Sequence, residues 1–338
     1  MKKRIGGFFE IEAIDSNSEI TGTTALDYWT KNKSFGLFST ARSIILELRK
    51  ELESSRIWVP EIFCGVLQEA NGVNTYLLAK NGFDPDVQFL NENLKENDIV
   101  IVVNYFGTEV SAEFIEFVNQ KTSVYWIEDA CHSLQPLANW ADFTLFSPRK
   151  LFGVADGGII VQNSAKSKAI VFANWTVEVS ASPKSISPFL RLVSPDYPNL
   201  NNVYRTEELN LDNNLRAMSD FTQWQLKYLT VDKKIERRRE NFSYLKEEFE
   251  ELLPVGLNFS PETIPFGFPI YINSRDEIQK RLFRRGIFPP IHWLSNEKSK
   301  THRRLQHEKL SLTIPCDHRY DSADMDYIKT NLKSLLMN

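Results

Sequence analysis

Two residues in the stretch 124–161 are spaced to do chemistry together. Asp129, with Glu128, follows the strand-like run Val124–Ile127, and His132 lies three positions further on. Lys150 follows a second strand-like run, Asp142–Phe146, through Ser147, Pro148 and Arg149. A turn of small residues (Gly153, Ala155, Asp156, Gly157, Gly158) then leads into a third apolar run, Ile159–Val161. A lysine amine can form a Schiff base with an aldehyde, and a carboxylate can keep a ring nitrogen protonated so that the ring withdraws electrons. Pyridoxal phosphate has both needs, and its phosphate seeks hydroxyls and backbone N–H groups, preferably at a helix N-terminus. On this reading Lys150 is the Schiff-base lysine, Asp129 the partner of the ring nitrogen and Ser147 a phosphate ligand. Taken singly, polar residues at strand ends more often simply face water. The ordered combination carries the assignment.

The segments IEDACHS (127–133) and FSPRKLFGVADGG (146–158) resemble the DegT/StrS family of pyridoxal-phosphate-dependent aminotransferases, best known for acting on nucleotide-linked keto-sugars. The resemblance covers most of the chain and is strongest over residues 35–162. It implies an α/β chain of the aspartate-aminotransferase type (fold type I). A large cofactor-binding domain with a mostly parallel sheet would occupy residues 1–230, N-terminal arm included, and a small C-terminal α/β domain residues 231–338. It further implies an amino-acid donor (glutamate), a nucleotide-sugar acceptor, a role in cell-surface polysaccharide or related glycan synthesis, and a homodimer with a shared active site.

Carried over residue by residue, the resemblance places His132 against the cofactor ring or its phenolic oxygen and Phe63 on the pyridine face. It places the backbone of Thr40 and Ala41 on the phosphate. The tract Asn213-Asn214-Leu215-Arg216 with Met218-Ser219 is similar to one in which the asparagine, here Asn214, reaches the phosphate of the neighbouring subunit's cofactor. Each has a plainer alternative: a capped helix at Ser39 or Thr40, a core phenylalanine at 63, a turn asparagine at 214. Two rival functions also stand. A sugar dehydratase on the same scaffold would have its Schiff-base lysine replaced, and Lys150 is retained. A catalytically silent or regulatory protein of the same fold would never take up the cofactor.

Composition narrows the class. The 338 residues provide ample material for a core, and a net charge of −4 gives no reason to expect nucleic acid or an anionic membrane as partner. The three cysteines, Cys64, Cys131 and Cys316, are widely spaced and show no C-x-x-C pair, which fits a reduced compartment better than disulfides or structural zinc. The histidines at 292, 302, 307 and 318 match no zinc spacing and read as exposed loop residues, so no metal is expected. The N-terminus does not read as a secretory signal, and no apolar stretch approaches the roughly 18 residues of a membrane span. The chain reads as cytoplasmic. Neither G-x-x-x-x-G-K-[ST] nor G-x-G-x-x-G occurs, against a P-loop or dinucleotide enzyme.

The elements that must hold these residues follow from periodicity. Ile5–Ile11 reads as a tied-down arm. Ile44, Ile45, Leu48 and Leu52 recur at helical spacing behind Ser39 and Thr40. Strand-like runs at 56–59, 75–79 and 98–103 alternate with amphipathic stretches, which argues for a mostly parallel sheet covered on both faces, with ligands outside the carboxyl ends of its strands. The segment EIFCGVLQEA (61–70) reads as the start of a helix carrying Val66, Leu67 and Ala70. Prolines 183, 188, 195 and 198 suggest an irregular excursion over 165–210, expected to select substrate. One long helix is expected over 217–253, then a βαβ-like unit.

Overall fold

The computed structural model describes residues 4–14, 19–64, 72–163, 169–175, 177, 186–194, 198–209, 214–294 and 301–337. After a two-residue strand, β1 (Ile5–Gly6), the apolar runs build a seven-stranded sheet: β2 (Ser34–Phe38), β3 (Ile57–Pro60), β4 (Val73–Tyr76), β5 (Ile99–Val103), β6 (Tyr125–Asp129), β7 (Phe143–Phe146) and β8 (Gly158–Gln162). Their spatial order is β2-β8-β7-β6-β5-β3-β4. The neighbours from β4 through β7 run parallel, while β8 is antiparallel to both β7 and β2. Every residue of β5 and β8 is buried, as expected of strands covered on both faces.

Helices α1 (Ala25–Thr30), α2 (Ala41–Glu51), α3 (Val87–Asn93) and α4 (Ala112–Gln120) accompany this sheet. Each starts where a short polar side chain caps it: Thr24, Thr40, Asp86 and Ser111 accept from a backbone N–H two or three residues into the helix. α2 buries Ile44, Ile45 and Leu48. Of the helix expected to start within 61–70, residues 61–64 are not helical, and Val66, Leu67 and Ala70 lie outside the described residues.

Two expectations need correction. The stretch read as irregular contains α5 (Ile186–Val193) and α6 (Leu200–Leu209). Pro188 sits in the first turn of α5, where its missing N–H costs nothing, so it does not break the helix. The long helix expected from 217 is two, α7 (Asp220–Tyr228) and α8 (Asp232–Phe249), followed by a 3-10 turn. The break at 229–231 is tertiary in origin. Thr230 bridges to Thr24, the Leu229 carbonyl accepts from Ala25, and the Val231 N–H donates to Thr23. Those bonds draw the backbone out of the helix although its apolar periodicity continues.

The C-terminal part comprises β9 (Phe268–Tyr271), α9 (Arg275–Arg284), β10 (Ile287–Phe288), α10 (His302–Leu310), β11 (Ser311–Ile314) and α11 (Ser322–Leu336). It departs from the simple βαβ layout, because β9 pairs antiparallel with β11 while β10 pairs in parallel with β1. Its apolar cluster joins Leu245, Phe268, Leu282, Leu312 and Ile328 to Ile5 from the arm. Among the described residues no helix is long and apolar enough to cross a membrane, and no group of three or more His, Cys, Asp or Glu side chains could hold a metal ion.

Candidate active site

The parallel strands β5 and β6 deliver their last residues to one edge, where ligands gather in sheets of this kind. Asp129 is the final residue of β6. Beyond β7, Ser147 precedes a 3-10 turn, Pro148–Lys150, in which the Leu151 N–H donates to the Pro148 carbonyl at 2.9 Å. Proline suits the first position of such a turn, having no N–H to leave unsatisfied. The turn brings Lys150 back over the end of β6. Lys150 and Asp129 line one cavity of about 160 Å³, together with Phe63, His132, His292 and Trp293.

Asp129 and His132 are held in place by their neighbours. Asp129 Oδ1 accepts from the Cys131 N–H at 3.0 Å, which fixes the carboxylate. The His132 ring stacks on Phe266, centroids 4.5 Å apart, and meets Trp293 at 4.9 Å. Burial holds the His132 imidazole well below its usual pKa, and the charge of Lys150 adds to that. It is therefore neutral near pH 7. Its Nδ1 is buried without a partner among the described residues, an orphaned polar atom that a ligand oxygen or N–H could satisfy. Phe63 is fully buried and lines the cavity.

Thr40, Ala41 and Ser147 lie apart from that cavity but close to one another around the small-residue turn. Thr40 bridges to Gly157, whose carbonyl is 3.5 Å from Ser147 Oγ. A Cβ on Gly158 would stand 2.3 Å from Ala41 N, so only glycine lets β8 start this close to the head of α2. Thr40 Oγ1 accepts from the Ser43 N–H at 3.2 Å, so the plainer alternative, a capped helix, also holds. Asp156 of the same turn is structural: its buried carboxylate accepts from the Ser219 N–H and from the hydroxyls of Ser219 and Thr222. Asn214 is exposed and lines neither cavity described here.

A second cavity, about 420 Å³, shares His132, Lys150 and His292 with the first. Five cationic side chains line it (Arg42, Arg149, Lys150, Arg238, Arg319) against the single carboxylate of Asp317. Phe8 and Phe9 of the arm and Tyr204 of α6 form another part of its wall, with Phe8 stacked on Tyr204 at 4.3 Å. The arm is thus tied down as expected, yet it also faces the space beside Lys150.

Sequence reasoning read the arm as tied down but not as part of a site wall, and it did not bring in His292, Trp293 and Phe266, which come from more than 100 residues beyond Lys150. It also misplaced the histidines. His307 is fully buried and His318 half-buried against Phe9, and of the four only His302 is an exposed side chain. Asn104, which follows β5, is buried and donates to Glu128 Oε1 at 3.1 Å.

The model of the DegT/DnrJ/EryC1/StrS aminotransferase family matches residues 79–317, which include Asp129, His132, Ser147 and Lys150. The chain belongs to this family. No curated protein matches it by sequence. Among solved structures, a Streptococcus pneumoniae protein described as a sugar aminotransferase, in its PMP form, superposes with a TM-score of 0.68 at 15% identity, over 99% of each chain. The sugar aminotransferase CalS13 of Micromonospora echinospora gives 0.63 at 13%, over 97% of this chain and 99% of its own. NtdA of Bacillus subtilis, solved with bound PMP, gives 0.60 at 16%, over 90% and 73%. This DegT-family chain shares their fold, that of type I, and it is an aminotransferase by family. The Streptococcus pneumoniae and Bacillus subtilis structures carry PMP, and the residues present here would fit pyridoxal phosphate: an amine and a carboxylate on one cavity, an aromatic side chain, and an imidazole nitrogen without a partner among the described residues.

Proposed function

We propose that this enzyme moves an amino group from an amino acid, glutamate being the expected donor, to a keto carbon of a nucleotide-linked sugar. The observation that carries the reading is the single cavity bounded by Lys150 and Asp129. Bound there, pyridoxal phosphate supplies an aldehyde to receive the amino group and an electron-withdrawing ring to stabilise the carbanion. Asp129 holds the proton on the ring nitrogen. Phe63 and His132 pack the ring, and Ser147 with the Thr40 and Ala41 backbone binds the phosphate. Lys150 Nζ takes the proton from the donor's α-carbon and later delivers one to the acceptor carbon, as general base and then general acid.

Support for a nucleotide-linked acceptor comes from the second cavity, where four arginines against the single carboxylate of Asp317 favour a multiply anionic ligand such as a diphosphate. The structures it resembles include proteins described as sugar aminotransferases. The enzyme would work in the cytoplasm, for glycan synthesis, as a homodimer in which Asn214 of one subunit reaches the other's site. Retention of Lys150 speaks against the dehydratase alternative. The test is borohydride reduction of cofactor-loaded protein, followed by a screen of keto-sugar nucleotides with glutamate. The cofactor should be trapped on Lys150. Lys150→Ala should abolish trapping and slow transamination by ~10⁴-fold or more. Protein that stays colourless and untrapped would favour the silent alternative.

A further inference from the structure

We propose that His292 is a substrate-contacting residue that holds a hydroxyl of the sugar acceptor beside Lys150. This rests on the sugar-aminating reading above. The two cavities share only three lining residues, His132, Lys150 and His292, so a ligand that spans them passes this imidazole.

The ring is anchored more heavily than a loop histidine needs. Its Nδ1 is 2.8 Å from Thr313 Oγ1, which leaves Nε2 as the remaining polar atom of the ring. Its backbone carbonyl lies 3.1 Å from His307 Nε2, and His307 Nδ1 lies 2.7 Å from the Tyr271 hydroxyl. Burial pushes His307 down to about 4, so it is neutral. A carbonyl only accepts, hence His307 Nε2 carries the proton and Tyr271 donates to Nδ1. The next residue, Trp293, has a left-handed backbone with φ of 53°. A bulky side chain in that conformation carries strain. Packing against Tyr105, Phe106 and His132 offsets it.

Burial, with Lys150 and His307 nearby, lowers the His292 pKa to about 3, so the ring stays uncharged at working pH. A neutral imidazole adds no charge for an anionic group, and the arginines already serve that need. It can donate to or accept from a hydroxyl, as the sugar portion of the acceptor requires.

The test separates the two halves of the reaction in cofactor-loaded His292→Gln and Thr313→Val, with glutamate as donor and UDP- and dTDP-linked 3-keto and 4-keto hexoses as acceptors. His292→Gln should slow the acceptor half by ~10–100-fold while the donor half stays within ~3-fold, and Thr313→Val should shift the same ratio less. Independently of turnover, the His292 ring resonance of ¹⁵N-histidine-labelled protein should move on adding the keto-sugar nucleotide and not on adding glutamate. Equal slowing of both halves, or none, or an unmoved resonance, overturns the proposal while sugar amination stands. Wild-type enzyme that carries the cofactor on Lys150 but aminates no keto-sugar overturns both.

Discussion

The two ends of the proposed cofactor site are prepared differently. At the ring end, around Asp129, Phe63, His132 and Lys150, there is a cavity, and one buried nitrogen on its wall has no partner among the described residues. At the phosphate end the polar groups are already engaged: Thr40 caps α2, Ser147 faces the Gly157 carbonyl, and β8 begins against the helix head. The ring end is thus preorganised by packing. The phosphate end must exchange internal hydrogen bonds for those to the ligand, so its contribution to affinity is a difference between two bonded states. The chemistry should therefore depend more steeply on the first end than on the second.

The sharpest break in that comparison is Asp129→Asn. An amide cannot hold the ring proton, so both half-reactions should slow by ~10²–10³-fold while the cofactor is still trapped on Lys150. Unchanged single-turnover rates would remove Asp129 from its assigned role. Ser147→Ala probes the other end. It should weaken cofactor binding by ~10–100-fold, the effect of one hydrogen bond to a charged group, with little change in rate at saturating cofactor. A shift below ~2-fold, measured by cofactor titration of the apoprotein, would mean that the phosphate lies elsewhere.

The smallest effect concerns Glu128, one residue before Asp129 and pointing to the opposite face of the sheet. Burial raises its pKa from 4.5 to about 7, against the hydrogen bonds from Asn104 and Thr144. For an acid whose folded pKa is raised, the contribution to stability is fully present below the unfolded value and is lost as pH rises through the folded one. Stability should therefore fall between pH 4.5 and about 7 on this account and level off above. Glu128→Gln should flatten that slope and stabilise the protein at pH 8 by ~1–3 kcal/mol, read from denaturant midpoints at pH 5 and 8. A variant less stable than wild type at pH 8 would show that the carboxylate is needed in its charged form.

The contrast also explains what could be read in advance. β5 to β8 were legible because short, mainly apolar runs such as Ile99–Val103 mark strands buried on both faces, and Asp129 and Lys150 follow from their ends. The break between α7 and α8 was not, because Thr24 and the strand-like segment it holds lie some 200 residues earlier in the chain. α5 was hidden by a proline that a first turn tolerates. The histidines illustrate the general limit. Spacing showed that they form no zinc motif, but it could not show that β9, α10 and β11 gather His292 and His307 around Trp293.

The pairing of β1 with β10 has a consequence for biogenesis. Ile5 and Gly6 leave the ribosome well ahead of their partners Ile287 and Phe288, which lie about 280 residues further along the chain. A nascent chain can therefore assemble its large sheet while Phe8 and Phe9 still hang undocked. Only after synthesis of the C-terminal part can that side of the catalytic chamber close, so a stalled or truncated polypeptide would hold Lys150 and Asp129 in a pocket left open on one flank.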